Sequence, residues 1–180
     1  MTRISLGALH GQHVDERPDL LPDPVRAALA GWPHRDEVGV VEIDPDLADT
    51  AALNAAFDLP PTASANCVVV AGKRNGEERV AACVVRADTR ADVNDRVKRL
   101  LDVRKASFLS QERAVEESGM EYGGITPVGL PSHWQLLVDA AVASTETVVV
   151  GSGVRRSKLL LPGAHVAQLP GAQVVEGLGR

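Results

Sequence analysis

Gly123 and Gly124 stand in the middle of a stretch, SGMEYGGITPVGLP at residues 118–131, that is loop chemistry set inside regular, periodic sequence. Four glycines (Gly119, Gly123, Gly124, Gly129) and two prolines (Pro127, Pro131) fall within it. Glycine lacks the Cβ that bars positive φ and lets another backbone or a ligand come close. Proline fixes φ and deletes a donor, so neither a helix nor a central strand runs through here. An ordered loop of this make-up often carries binding groups on a rigid scaffold. A helix C-cap followed by a turn has the same composition.

A second candidate is Gly151-Ser152-Gly153-Val154-Arg155-Arg156-Ser157-Lys158. As a phosphate loop it fails, because a dinucleotide fingerprint needs a third glycine where Arg156 stands and a helix where residues 158–161 read as strand. A Gly-Lys-Ser/Thr triplet is absent as well. The segment reads as a β-turn, although its backbone amides, with Arg155, Arg156 and Lys158 beside them, suit a terminal phosphate or a ribose. His10 and His13 have a metal-like spacing with no further ligand near them in sequence, so no metal site is expected there. His34, His133 and His165 are scattered, and no nucleophile–histidine–acid set follows from their order; His133, next to the glycine loop, could face a pocket. Asp139 ends an apolar run at 136–138, where an acid either caps the amides that follow or faces a pocket.

These residues need a scaffold, and the periodicity supplies one. Pro24 suits the first turn of a helix over 25–32, with Asp23 available to cap it. Residues 38–43 are β-branched and read as a strand. Asp49 or Thr50 caps a helix that runs to Phe57 and ends at Pro60-Pro61. Two Val/Ala/Cys-rich runs, 66–71 and 79–87, flank Asn75-Gly76, the pair that supplies both positive φ values of a type I′ hairpin turn. That turn pairs Cys67 with Val84 and Val68 with Cys83, which places the two cysteines on opposite faces. Val93, Val97, Leu100 and Leu101 form one helical stripe. Ser110 caps a helix to Ser118, with Gly119 past its end. Strands are expected at 104–109, 135–140, 145–151, 157–161 and 173–176, and a helical turn at 164–169. The pattern predicts an α/β protein of mixed (α+β) type: a curved, mostly antiparallel mixed sheet with helices around it, not a doubly wound parallel sheet.

A chain of 180 residues fits one domain with a real core, here residues 21–180, preceded by a loosely held lead-in at 1–20. No apolar run approaches the roughly 20 residues of a membrane helix. The N-terminus lacks a secretory apolar region, and two cysteines make no disulfide framework, so the expected compartment is the cytoplasm. Net charge is −5, which argues against gross non-specific nucleic-acid binding, and no DNA partner is expected. Charge is uneven, however: residues 1–72 hold 4 basic and 11 acidic side chains, whereas 73–113 hold 11 basic and 7 acidic. That basic middle either neutralises phosphates locally or is a solvated face of mixed sign.

The loop at 118–131 resembles the hallmark loop of the YbaK-like family, the aminoacyl-tRNA editing domain also found inserted in prolyl-tRNA synthetases. Ser118-Gly119, Gly123-Gly124, Pro127 and Gly129-Leu130 occupy the hallmark positions. The likeness covers roughly residues 38 to 178, through IDPDLADTAALNAAFDLPPTASANCVVV (43–70), LVDAAV (137–142) and VVVGSGVRRSKLLLPGAHVAQL (148–169). The resemblance implies a fold of that family and hydrolysis of the ester of a mischarged aminoacyl-tRNA, without metal or cofactor. The partner it implies is an aminoacyl-tRNA acceptor end, proline tRNA among the candidates. It also implies a pocket in which Gly123 and Gly124 hold the aminoacyl group, Pro127 closes one side and Asp139 lies within reach. Gly151, Ser152, Gly153 and Lys158 would flank it. The family begins its first long strand with Ala-Lys-Thr, and that lysine lines the pocket; here the aligned residues are Ala65-Asn66-Cys67. An uncharged amide at Asn66 gives up a charge-assisted contact of roughly 1.5–3 kcal/mol. The expectation is therefore weakened hydrolysis that Asn66→Lys restores, or a module that binds the same nucleotide or aminoacyl-tRNA without turnover.

Overall fold

The computed structural model describes residues 3–180. Its elements, in chain order, begin with β1 (Ser5–Leu6), β2 (Leu9–His10), β3 (Gln12–His13), α1 (Asp23–Ala30), β4 (Gly39–Glu42) and α2 (Thr50–Phe57). The long hairpin β5 (Ala65–Arg74) and β6 (Glu77–Arg86) follows. After it come α3 (Lys98–Leu100), β7 (Ala106–Phe108), α4 (Gln111–Ser118), β8 (Gln135–Asp139) and α5 (Ala140–Ala143). The chain ends with β9 (Val148–Gly151), β10 (Ser157–Leu161), α6 (Gly163–Val166) and β11 (Ala172–Val175).

The mixed α/β architecture matches the sequence reading, but the strands divide between two principal sheets. One has four antiparallel strands in the order β3-β4-β10-β9; the other has five in the order β11-β8-β6-β5-β7. In the second, β11 and β6 flank β8 in parallel, while β5 pairs antiparallel with both β6 and β7. A single parallel bridge, Ser64 to Val149, ties the start of β5 to β9 and makes a seam between the sheets.

The β5–β6 register follows from its turn. Asn75 and Gly76 both have positive φ, 52° and 81°, as a type I′ turn requires. Cys67 then opposes Val84, and Val68 opposes Cys83. Alternation sends Val69, Ala82, Val84 and Val138 into one core, and Val70, Ala81, Cys83, Val85 and Leu137 into another. The cysteines lie on different faces and remain free thiols.

The N-terminal segment is not the loose lead-in expected of it. β1 and β2 pair with each other, and β3 adds to the edge of β4. Leu9 is fully buried with Ile43, Leu53, Leu59, Val149 and Leu160 in a third core. Short polar segments hide such a role from periodicity, because two-residue strands carry no pattern to read. Two further local differences arise from caps and register. Pro22 rather than Asp23 occupies the position before α1, and the stripe at 93–101 opens with a π-helical turn, Val93–Val97, before α3. No helix among the described residues is long and apolar enough to cross a membrane.

Candidate functional site

The cleft sits beside the seam. The start of β5, the end of β9, β10, the N-terminal end of α2 and the glycine loop surround a volume of about 400 Å³. That is the size of a small-ligand pocket. Asn66, Gly123, Gly151 and Lys158 all line it, together with Asp49, Thr50 and Tyr122.

Each side chain is held for a local reason. Asp49 caps α2, its carboxylate accepting from the amides of Ala51 and Ala52. The cap sets Thr50 at the first position of the helix, and its hydroxyl donates to Asn66 Oδ1 at 2.6 Å. With Oδ1 taken, the amide of Asn66 offers its N–H₂ donors to the cleft. Lys158 shares a face of β10 with Leu160 and is 6 % exposed. Its Nζ donates to Ala48 O at 2.7 Å, one of three possible donations. Burial pushes its pKa down to about 8; the carboxylate of Asp49 opposes that shift and Arg155 adds to it. An ammonium therefore lies in the cleft at neutral pH, supplied by β10 and not by β5.

The glycine loop reaches the cleft through close backbone packing. A Cβ on Gly124 would lie 2.7 Å from the carbonyl carbon of Val154, and one on Gly151 would lie 2.6 Å from the oxygens of Gly124 and Ile125. Peptide thus packs on peptide, and Gly153 N donates to Gly124 O at 2.6 Å to lock the contact. Glu121 clamps the same corner: its amide donates to Gly153 O, and its carboxylate accepts from Arg155 N at 2.7 Å. Arg155 also donates to Tyr122 O and Pro45 O.

Not every sequence-predicted residue converges. Gly123 lines the cleft, whereas the amide of Gly124 is spent on Glu121 O at 3.0 Å and the residue does not line it. Pro127 faces a separate apolar cavity with Trp32, Leu130 and Trp134. Asp139 is not a cleft residue either: it is 3 % exposed and caps α5 through Ala141 N, while Oδ2 accepts from Gly179 N at 2.8 Å. Of the two roles open to it in sequence, the cap is the one adopted. Ser152 is wholly buried, its hydroxyl bonded to Ser157, and Gly153 packs against Pro22, so both shape the turn from behind. His133 is exposed and does not line the cleft. Asp49, Thr50 and Tyr122 were missed as cleft residues. The capping signal at 49–50 was legible, but nothing in it says what the cap faces.

One group of metal-ligand types occurs among the described residues, His34, Glu37 and His165, outside the cleft. The two imidazoles stack at 4.0 Å with planes 18° apart, so their lone pairs run side by side instead of converging as a tetrahedral site needs.

A split α/β sheet with a glycine corner, an oriented amide and a buried ammonium at its seam defines a class: a small mixed α/β domain with a preformed polar cleft of small-ligand size. The sequence profile of the aminoacyl-tRNA editing domain matches residues 44–169, and the chain belongs to that family. Among solved structures, a candidate trans-editing enzyme for prolyl-tRNA synthetase superposes with a TM-score of 0.71 at 21 % identity, over 85 % of this chain and 93 % of that one. A hypothetical protein gives 0.72 at 21 % identity, over 94 % and 100 % of the two chains. A scaffold carrying a computationally grafted epitope gives 0.71 at 20 % identity, over 85 % and 94 %. At these identities the likeness is one of fold.

Proposed function

We propose that this protein hydrolyses, in trans, the ester that joins a wrong amino acid to the 3′ end of a tRNA, with proline tRNA the first candidate. The observation that carries the reading is the buried Lys158 ammonium in one cleft with Asn66 and Gly123. Membership of the editing family and the fold shared with a candidate prolyl trans-editing enzyme support it.

In the reaction, water adds to the ester carbonyl and gives up a proton to solvent, and charge builds on the carbonyl oxygen. The bond to the ribose oxygen then breaks, that oxygen takes a proton, and the amino acid leaves as its carboxylate. The Gly123 N–H and the Lys158 ammonium stabilise the developing charge, the kind of preorganised donor set that lowers such barriers most. Asn66, oriented by Thr50, donates to the acyl carbonyl or the terminal ribose. No metal or cofactor takes part in this scheme, and the compartment that fits the substrate is the cytoplasm.

The test is a panel of mischarged tRNAs, alanyl- and cysteinyl-tRNA for proline included, offered to the wild type and to Lys158→Met. Wild-type hydrolysis should fall ten- to a hundredfold in the variant, about what loss of a charge-assisted contact costs. Equal rates for the two proteins would end the assignment of Lys158. Tight binding with no turnover anywhere on the panel would favour the second reading, a non-catalytic module, for which Asn66 in place of the implied lysine is the supporting feature.

A further inference from the structure

The chain owns only five Phe, Tyr and Trp residues, and two of them are left out of the core: Phe108 is 66 % exposed and Tyr122 60 %. Burying such a side chain is worth roughly 1.5–3 kcal/mol, so each exposed ring is apolar surface that a partner could cover. Phe108 ends β7, the edge strand of the five-stranded sheet, and Tyr122 stands in the glycine loop. Tyr122 is in the cleft at the start of β5, while Phe108 pairs with Val70 farther along β5 and lines a second hollow of about 410 Å³. From Asn66 to Val70 is four residues of strand, about 13 Å.

The second hollow is basic. Lys73 and Lys105 line it, Arg104 adjoins it in sequence, and all three are exposed and in no ion pair among the described residues. The carboxylate in the hollow, Glu78, is engaged by Arg113, whose other ion-pair partner is Glu117. This is the local basic surplus of an otherwise acidic chain. Unpaired cations beside exposed aromatic faces are the combination that holds single-stranded nucleic acid: phosphates on the cations, bases on the rings.

We infer that the β5–β7 edge is an RNA path, on which Phe108 and Tyr122 stack unpaired bases while Lys73 and Lys105 hold phosphates on the approach to the cleft. The inference rests on the proposed reading for its direction, since an esterified 3′ end must reach Lys158. The roughly 13 Å of β5 between Asn66 and Val70 is the length of a few unpaired nucleotides, at about 3.4 Å each when stacked. RNA is the occupant because the proposed substrate is a tRNA; an uncharged ligand would leave the cations unused.

The experiment is equilibrium binding of a fluorescent RNA stem-loop with a short unpaired 3′ end, over a salt series. Phe108→Ala should weaken binding roughly five- to a hundredfold, the range for one stacked base. Lys73→Gln with Lys105→Gln should reduce the salt slope by about 1.4, two single-strand phosphate contacts. Unchanged affinity and slope in both variants, or no binding by the wild type, would overturn the inference. So would a wild-type dimer that Phe108→Ala dissociates, because β7 is an edge strand and a second copy is the competing occupant. Thermal melting confirms that the variants fold. Hydrolysis of an aminoacyl-adenosine by the wild type is read separately. If it is absent while RNA binding depends on Phe108, the hydrolase reading fails and the path stands; the converse pair of results rejects the path alone.

Discussion

Lys158 is kept at a cost. A lysine whose pKa falls from 10.5 to about 8 on folding destabilises the native state by on the order of 3 kcal/mol at neutral pH. The folded chain binds fewer protons than the unfolded one between those values. The penalty is therefore complete below about pH 8 and fades as pH rises towards 10.5. Lys158→Met should raise stability at pH 7 by about 1–3 kcal/mol, less whatever is lost at Ala48 O, and the gain should vanish near pH 10.5; denaturant melts at the two pH values check it. Activity should run the other way. The ratio of wild-type to variant rate should be flat on the acid side and decline through about pH 8, as the ammonium loses its proton. Asn66→Lys bears on the same point: with Lys158 already in the cleft, a second cation repels the first and breaks the bond from Thr50 to Asn66 Oδ1. We expect lower hydrolysis from that variant, the reverse of what the sequence alone suggests, and a rate measured on the same panel decides it. Asn66 was visible in the sequence because a strand start can be aligned. Lys158 was visible only as a neighbour of a turn, since nothing in its own strand says that the seam will bring it opposite β5.

Among elements, the hairpin was the most legible part of the fold, because Asn75-Gly76 fixes turn, register and facing together. The helix caps at Asp49 and Ser110 were equally plain. The glycine loop was legible as a loop but not in its use. Composition cannot distinguish a glycine that lines the cleft, as Gly123 does, from one whose amide is spent on its own turn, as at Gly124. Nor can it show that Gly124 and Gly151 are glycines because two backbones touch. That contact predicts the outcome of a conservative change. Gly151→Ala forces a methyl against two carbonyl oxygens at 2.6 Å, and overpacking of this kind costs about 1–3 kcal/mol. We expect a lower melting temperature and, because the corner must move, a loss of hydrolysis larger than the stability change explains.

For the molecule as a whole, length and composition set the scale of one core-bearing chain but not the closure of its third core by residues 5–13. Leu9 is the anchor there, and its removal exposes Ile43, Leu53 and Leu160. Leu9→Ala should cost about 2–5 kcal/mol, the range for a fully buried leucine. Deletion through His13 should lower the melting temperature further, because β3 and its pairing with β4 go with it. A truncated chain as stable as the full one would show that the segment merely rests on the surface.

The cleft's wall at Gly151 is main chain without rotamers, backed from behind by the peptide-on-peptide contact with Gly124. Side-chain walls yield by swinging aside; planes of main chain pinned by Glu121 and Arg155 do not. For the aminoacyl ester proposed as substrate, such a boundary would sort acyl groups by girth, turning away bulky ones through collision while letting slimmer ones enter. Discrimination among small amino acids must then come from somewhere other than shape.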